Sequence, residues 1–375
     1  MRLLFILFPM IPAAFYSTIY LTVLSLLTLV AMSRYSKLSD ARLRSTAPSP
    51  IPFGAIILTI AVTLFIGYRP ESSVFVDMMN YREYYRAFSS GTFHFDPDAT
   101  NIIFDNVFNW MSKSQLPIRW FYLGCAVVYF GALYFAMRKM FPRDTYYAIL
   151  IYLAAFSTFS YGTNGIKAGA AASVFLLAIA YREKPVLAAV LLFICWGIHH
   201  SMIVCVVAYI LACLNSNSKL YFGVWVFSVI LAMLHITAIQ EFFAGLSDER
   251  GAGYLSNTDG DWGGKAGFRL DFLIYSAAPV ALGYWVIFKR GLRSKMYTFL
   301  FNTYLTINAV WVLCMYASFT NRIAYLSWLM LPIVLIYPYF NHHFLYNQYS
   351  KLNTVALWHL LFTIGMQLIY YGLLR

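Results

Sequence analysis

Apolar runs of about 20 residues recur along the whole chain, and no other feature constrains its fold as strongly. A helix of about 20 residues crosses a bilayer core that is ~30 Å thick. The runs therefore predict an all-α, polytopic integral membrane protein of about twelve transmembrane helices. The predicted spans cover 10–32, 51–68, 117–137, 145–161, 166–181, 185–198, 201–214, 220–239, 270–288, 297–316, 323–340 and 354–373. The fifth to seventh are short, which is typical of half-helices or of an interrupted bundle.

The composition agrees with a single transmembrane domain over residues 1–375. The chain is 61% hydrophobic and 11% charged, whereas soluble proteins are roughly 45–50% apolar and about 25% charged. Its five cysteines lie inside apolar runs without a CxxC spacing. This pattern favours buried packing residues over a disulfide framework or a zinc site. The sequence carries no nucleic-acid-binding motif.

The distribution of lysine and arginine predicts the orientation. Every second loop between the predicted spans is short and basic, and the excess of basic over acidic residues in these loops equals the whole net charge of +12. Short basic loops face the cytoplasm. Both termini and the hydrophilic segments 69–116 and 240–269 then face outward. A cleaved signal peptide at the N-terminus is the competing interpretation, but the basic cluster follows the first apolar run instead of preceding it.

The cytoplasmic loops contain no phosphate-binding glycine motif, so we expect no soluble nucleotide donor and place the site on the outer face. In the first outer segment, Asp77 and Tyr81 share a helix face with Tyr84 or Tyr85. Arg82 adds a guanidinium beside them. The alternative is an interfacial amphipathic helix whose tyrosines belong to the aromatic belt.

Lys167 follows "GTNG" at the outer start of the fifth span. A helix N-terminus already carries partial positive charge, so a lysine there is locally unfavourable unless an anion lies in front of it. We therefore predict an anion site. The alternative is a lysine that extends to the outer headgroups.

The outer turn "WGIHHS" contains His199 and His200. A histidine there could act as a base or bind a phosphate, because its pKa lies near neutrality. Adjacent histidines cannot share a helix face, so one of the two is expected to point inward. The alternative is an interfacial histidine in a tight turn. His342 and His343 are predicted to be cytoplasmic and are not site candidates.

Three arginines lie at predicted outer ends of spans. Arg69 follows the second span, and Arg322 begins the eleventh. As at Lys167, the positive side chain of Arg322 then lies at a helix N-terminus, which itself carries partial positive charge. Arg269 precedes the ninth span after a glycine-rich stretch that predicts a mobile loop. Because Arg269 and Asp271 are two residues apart, we expect them to face different directions, with Arg269 toward a ligand and Asp271 toward a neighbouring helix.

Several of these motifs, in this order, resemble those of the EpsG-like, Wzy-type polysaccharide polymerases. The similar motifs are the Gly-Tyr-Arg exit from the second span with its Asp-x-x-x-Tyr segment, "NGIKAGAAASVFLLAIA", "HHS", "GFRLDF" and "NRIAYL". The resemblance covers roughly 67–340. One departure concerns Ile166–Gly169, which reads Ile-Lys-Ala-Gly where the family reads Ile-Arg-Gln-Gly, so the bidentate fork of arginine is absent.

The resemblance implies a membrane glycosyltransferase with a GT-C-like helical fold in the bacterial inner membrane. It would join polyprenyl-diphosphate-linked oligosaccharide repeat units on the periplasmic face, in a pathway shared with a flippase and a chain-length regulator. Fixed cations would stabilise the leaving diphosphate, and the candidates are Arg69, Lys167, Arg269 and Arg322. Asp77 is the first choice for the base, followed by His199 or His200. No metal or other cofactor is predicted, although Asp77 with a diphosphate could bind Mg²⁺ or Mn²⁺.

Two other functions fit part of the pattern. A ligase of the O-antigen type shares the outer face and the lipid diphosphate donor but uses another acceptor. A transporter or flippase of lipid-linked sugars suits short, broken spans, yet it requires a path through both leaflets. The unusual charges lie on one predicted side only, which favours an enzyme.

Overall fold

The computed structural model describes residues 10–38, 51–245, 253 and 267–371, and within these ranges the chain forms helices and no strand. The fold class is therefore all-α, as predicted. In chain order the helices are α1 (Tyr16–Tyr35), α2 (Phe53–Gly67), α3 (Val76–Ala87), α4 (Ile102–Lys113), α5 (Ile118–Met140), α6 (Thr145–Leu153), α7 (Phe156–Thr163), α8 (Ile166–Ala180), α9 (Pro185–Ile198), α10 (Ile203–Leu214), α11 (Ser218–Met233), α12 (Ala238–Gly245), α13 (Leu270–Tyr284), α14 (Lys295–Leu313), α15 (Thr320–Trp328), α16 (Leu331–Asn341) and α17 (Gln348–Tyr371).

Five helical stretches of the described chain are long and apolar enough to cross a membrane, which identifies a polytopic membrane protein. They are Ala13–Tyr35, Ile118–Met140, Leu270–Lys289, Thr320–Asn341 and Gln348–Ile369. Shorter apolar helices occupy Phe53–Gly67, Ile166–Ala180, Pro185–Ile198, His200–Leu214 and Ser218–Met233. The number of twelve spans thus stays a prediction. The predicted loop glycines Gly260, Gly263 and Gly264 lie outside the described residues.

The predicted span 145–161 is not one helix, and this corrects the sequence analysis. It divides into α6 and α7 at Ala155, whose backbone is extended (φ −70°, ψ 141°). Two side chains replace the missing helical bonds: the Tyr20 hydroxyl donates to the carbonyl oxygen of Leu153, and the Thr158 hydroxyl donates to that of Tyr152, both at 2.8 Å. A break in an apolar helix is tolerated where its backbone groups are satisfied in this way.

Contacts divide the described chain into two compact units. The residues up to Ile203, together with those from Tyr339 onward, form the first unit, and Val204–Pro338 form the second. In the first unit, α8 packs along α5 and α9. Small residues permit this approach: a Cβ added at Gly169 would lie 3.2 Å from the Tyr129 ring. Most of α8 is buried, which explains why this short helix is apolar on all sides beyond Lys167 in its first turn.

The second unit is held by a pair of packed helices, α11 and α14, and by α15 against α14. Polar side chains join them inside the apolar interior. Ser218 donates to the side-chain oxygen of Asn302 at 2.7 Å, and the Trp225 indole donates to that of Asn308 at the same distance. The Asn308 amide in turn donates to the Ser327 hydroxyl at 3.0 Å. Such bonds satisfy polar groups that would otherwise be costly to bury.

Candidate functional site

The hydrophilic segment 69–116 of the first unit contains two helices, α3 and α4, that pack against each other through a cluster of aromatic side chains. The Tyr81 ring lies 6.0 Å from Phe104, 6.1 Å from Phe108 and 6.4 Å from Phe121, measured between ring centroids. Phe108 and Phe121 meet edge to face at 4.9 Å. Aromatic pairs of this geometry stabilise a cluster beyond the area they bury. This segment is therefore packed against the start of α5 and is more than an isolated surface helix.

The predicted polar face of α3 includes Tyr85 and not Tyr84. Tyr85 is 7% exposed, whereas Tyr84 is 52% exposed. The Tyr85 hydroxyl donates to the carbonyl oxygen of Leu116 at 2.9 Å. Asp77 and Tyr81 are half-buried on the same helix. The helical spacing predicted from the sequence is therefore present, and the alternative left open between the two tyrosines is resolved.

Tyr81 is held as a neutral phenol. Burial raises the pKa of Tyr81 well above its usual range, and the negative charges of Asp77 and Asp105 raise this pKa further. A phenol with a raised pKa keeps its proton at neutral pH. Tyr81 can therefore donate a hydrogen bond to a ligand, and its ring is fixed by the phenylalanines around it.

Arg69 is used within the fold. It is 4% exposed, and its terminal nitrogens donate to the carbonyl oxygens of Ile66 (2.8 Å) and Thr163 (2.9 Å). These carbonyls belong to the last turns of α2 and α7. The guanidinium carbon also lies 5.1 Å from the centre of the Tyr122 ring. Burial lowers the pKa of Arg69 to about 10, so the side chain stays charged at neutral pH. Arg69 thus joins two helix ends, and contact with substrate stays a prediction.

Lys167 lies in the first turn of α8 and reaches the aromatic cluster. Its ammonium nitrogen is 5.5 Å from the centre of the Phe104 ring, a distance at which a cation is attracted to the ring face. Gly165 precedes α8, and a Cβ added there would lie 2.8 Å from the Tyr161 ring, so this tight approach requires glycine. Because Tyr81 also contacts Phe104, a cation and a neutral phenol lie on the same aromatic side chain.

The two histidines form the turn between α9 and α10, and α4 fixes this turn. His199 ends α9 with an extended backbone (φ −145°, ψ 111°), and His200 begins a short 3₁₀ turn. The backbone N–H of His200 donates to the side-chain oxygen of Asn101 at 3.0 Å. Asp105 holds Asn101 in turn, since one carboxylate oxygen accepts from its backbone N–H (2.9 Å) and from its side-chain amide (3.1 Å).

Asn101 and Asp105 were not predicted as site residues. Their spacing contains a weak signal, because an Asn before a helix and an acid in its first turn mark a helix start. Their contact with the histidine turn has no counterpart in the local sequence. It follows from the packing of α4 against α9.

Arg269 and Asp271 pair with one another in the second unit, which corrects the expectation that they face different directions. The Arg269 Nε donates to Oδ1 of Asp271 at 2.9 Å, and Nη2 donates to Oδ2 at 2.6 Å. The expectation assumed that both residues are helical. Arg269 instead precedes α13 with a non-helical backbone (φ −90°, ψ 76°), so its side chain turns back onto Asp271. Its guanidinium also stacks on Phe272 at 3.5 Å.

Arg322 is exposed in the first turn of α15, also in the second unit. Its guanidinium carbon lies 5.0 Å from the centre of the Phe319 ring. Phe319 has a left-handed backbone conformation (φ +53°) that residues other than glycine rarely adopt. Backbone strain of this kind is common at functional sites. It places an aromatic side chain directly under the Arg322 charge.

The first unit thus brings together four of the predicted site positions. Lys167 and Tyr81 both contact Phe104, Asp77 acts on Tyr81, and α4 carries both Phe104 and the support of the His200 turn. Arg82 lies on the same helix as Tyr81, with its guanidinium 3.7 Å from the Glu71 carboxylate. A cation, a phenol donor, a carboxylate and imidazoles suit anion binding combined with proton removal.

Metal binding was not predicted, and the described residues contain no group of three His, Cys, Asp or Glu side chains that could hold an ion. The absence of a metal from the site therefore stays a prediction.

Comparison with known proteins assigns the chain to a family. No curated protein and no solved structure matches it. The model of the EpsG family matches residues 54–373, which include every predicted site residue. The chain therefore belongs to the EpsG family.

Proposed function

We propose that this protein is a polysaccharide polymerase that joins polyprenyl-diphosphate-linked oligosaccharide repeat units. Membership of the EpsG family over residues 54–373 is the observation that carries the proposal. The contacts of Lys167 and Tyr81 with Phe104, together with the effect of Asp77 on Tyr81, support it, because these groups suit an anionic donor and a hydroxyl acceptor. The motif order that resembles Wzy-type polymerases is consistent with this activity.

We place the reaction on the periplasmic face of the bacterial inner membrane. The asymmetry of basic loops supports this orientation, and it puts α3, α4 and the histidine turn outside. The count of twelve spans and a GT-C-like scaffold belong to the same proposal. The growing chain would meet an incoming lipid-linked unit there, supplied by a flippase, and a chain-length regulator would limit its extension.

In the proposed reaction, a sugar hydroxyl of the incoming unit attacks the anomeric carbon at the reducing end of the growing chain. A new C–O bond forms as the bond between that carbon and the diphosphate oxygen breaks. The electron pair stays on the diphosphate, which leaves with its polyprenyl chain. Lys167 would stabilise this charge. Arg269 and Arg322, in the second unit, stay candidates from the sequence. The Phe104 ring limits where the Lys167 ammonium can lie, so less reorganisation is needed.

The hydroxyl proton needs an acceptor. Asp77 is our first choice, since it is half-buried one helical turn before Tyr81 and its charge acts on the Tyr81 phenol. Tyr81 would donate a hydrogen bond to a sugar or phosphate oxygen. His199 or His200 is the second choice. The hydrogen bond from the His200 backbone N–H to the Asn101 side chain holds that turn against α4. These roles require no cofactor.

Deletion of the gene tests the proposal, with surface glycans separated on a gel. We expect a ladder of long chains to collapse to a single capped repeat unit. The wild-type gene should restore the ladder, whereas Arg322→Ala should not. Arg293→Ala is the matched control at an exposed loop arginine and should also restore it. Complete chains that accumulate on the lipid carrier would indicate a ligase instead. An unchanged ladder after deletion would contradict a role in glycan assembly.

A further inference from the structure

An open cavity of about 260 Å³ lies in the first unit, apart from the cluster around Phe104. Its wall is formed by the last turns of α3 and α4, the start of α5 and Glu71. Pockets for drug-sized ligands typically measure about 300–1,000 Å³. The cavity is slightly smaller, and a single sugar ring is a ligand of suitable size.

The wall is fixed by hydrogen bonds between side chains and backbone. The Ser112 hydroxyl donates to the carbonyl oxygen of Tyr85, which joins α4 to α3. The side-chain amide of Gln115 donates to the carbonyl oxygen of Ser89 at 2.6 Å. These bonds hold the two helix ends together, which limits the reorganisation that binding requires.

Three charged side chains line this cavity: Glu71, Arg82 and Arg86. The Nη1 of Arg82 is 3.7 Å from Oε2 of Glu71, which is too long for a direct hydrogen bond. The Nε of Arg82 is buried and has no hydrogen-bond partner. Because Nε has no exposed surface, a ligand in the cavity would meet the terminal nitrogens of Arg82, whose side chain is 28% exposed.

We propose that this cavity binds one sugar unit of the glycan through two neighbouring hydroxyl groups. A hydroxyl both donates and accepts, a guanidinium only donates and a carboxylate only accepts. Arg82 would donate to one hydroxyl, and Glu71 would accept from the next. The inference rests on the proposed function and adds a sugar subsite to it.

The test measures binding of the repeat-unit oligosaccharide, released by mild acid from the lipid-linked pool of the deletion strain. Saturation-transfer NMR would be recorded on the full chain in lipid nanodiscs. We expect Arg82→Gln and Glu71→Gln each to weaken binding about tenfold, the effect of losing one hydrogen bond to a charged group. Arg119→Gln is the matched control, an exposed arginine near the cavity that does not line it.

Binding that is unchanged in both variants would overturn the proposal. Tighter binding by Glu71→Gln would also overturn it, since Glu71 would then repel the ligand instead of accepting a hydrogen bond from it. If Arg82→Gln fails to fold, Glu71→Gln decides the question, because Glu71 is exposed and non-helical. Glycan ladders from the same strains separate the two hypotheses: an intact ladder with Arg82→Gln contradicts only the subsite, whereas an intact ladder after gene deletion contradicts the polymerase.

Discussion

The side-chain oxygen of Asn101 accepts a hydrogen bond from the backbone N–H of His200 at 3.0 Å, across 99 positions of sequence. The bond links the start of α4 to the histidine turn. It gives a reason why the hydrophilic segment 69–116 and the "HHS" motif belong to one site.

Asn101→Ala should lower the rate of chain extension by between about two- and tenfold, the range for one neutral hydrogen bond. The amount of protein in the membrane should be unchanged, as measured by immunoblot. Asn109→Ala is the matched control, since Asn109 lies on the same helix and is only half-buried. Equal effects of both changes would show that α4 is merely sensitive to mutation.

Lys167→Arg should retain chain extension, and Lys167→Met should lower its rate by roughly 10²–10³-fold, as the loss of one charge-stabilising donor does. The arginine and methionine side chains are both long enough to reach Phe104, which Lys167 contacts in the wild type. The assay is the glycan ladder with a measured membrane level. Activity with Met but not with Arg would assign Lys167 to packing.

Arg69→Ala should destabilise the fold, in contrast to Lys167→Met. It removes two hydrogen bonds from a charged donor, each worth about 1.5–3 kcal/mol. We expect a lower thermal midpoint of the detergent-purified protein, with Arg119→Ala as the exposed control. A normal midpoint combined with loss of extension would instead place Arg69 against the substrate.

Tyr81→Phe should slow chain extension while preserving the aromatic cluster, because only the hydroxyl is removed. The raised pKa of Tyr81 means that its proton is retained throughout the range below its usual value of about 10. Wild type and variant should therefore show the same shape of rate against pH between neutrality and pH 9. A wild-type step in that interval that disappears in Tyr81→Phe would show that the phenol ionises.

Asp271→Asn tests whether the pair with Arg269 is part of the site. The carboxylate accepts two hydrogen bonds from the Arg269 guanidinium. Asparagine has only one side-chain oxygen, so this variant should lose one of the two bonds and slow chain extension. Arg269→Lys should slow it also, since lysine cannot form a bidentate pair. Full activity of both variants would remove this pair from the proposed mechanism.

Local signals predicted some elements well. Helix α9 begins and ends where the span 185–198 was placed, because Pro185 suits a first helical position and the histidine turn follows Ile198. The shared face of Asp77, Tyr81 and Tyr85 follows from helical spacing alone. The all-helical membrane class followed from apolar runs.

Other features depend on residues that are distant in sequence. The break between α6 and α7 is stabilised by Tyr20, which is 133 positions from its acceptor Leu153. The hydrogen bond that the His200 backbone N–H donates to Asn101 likewise joins residues that are 99 positions apart. Arg269 and Asp271 are close in sequence, yet their pairing depends on a non-helical backbone at Arg269 that no spacing rule predicts.

The most direct measurement reconstitutes the purified protein in liposomes with polyprenyl-diphosphate-linked repeat units as the only substrate and no nucleotide sugar. We predict a ladder of longer lipid-linked glycans that appears with wild type and fails to appear with Arg322→Ala. Single repeat units that remain unextended with wild type, under conditions where the protein is folded, would contradict the account.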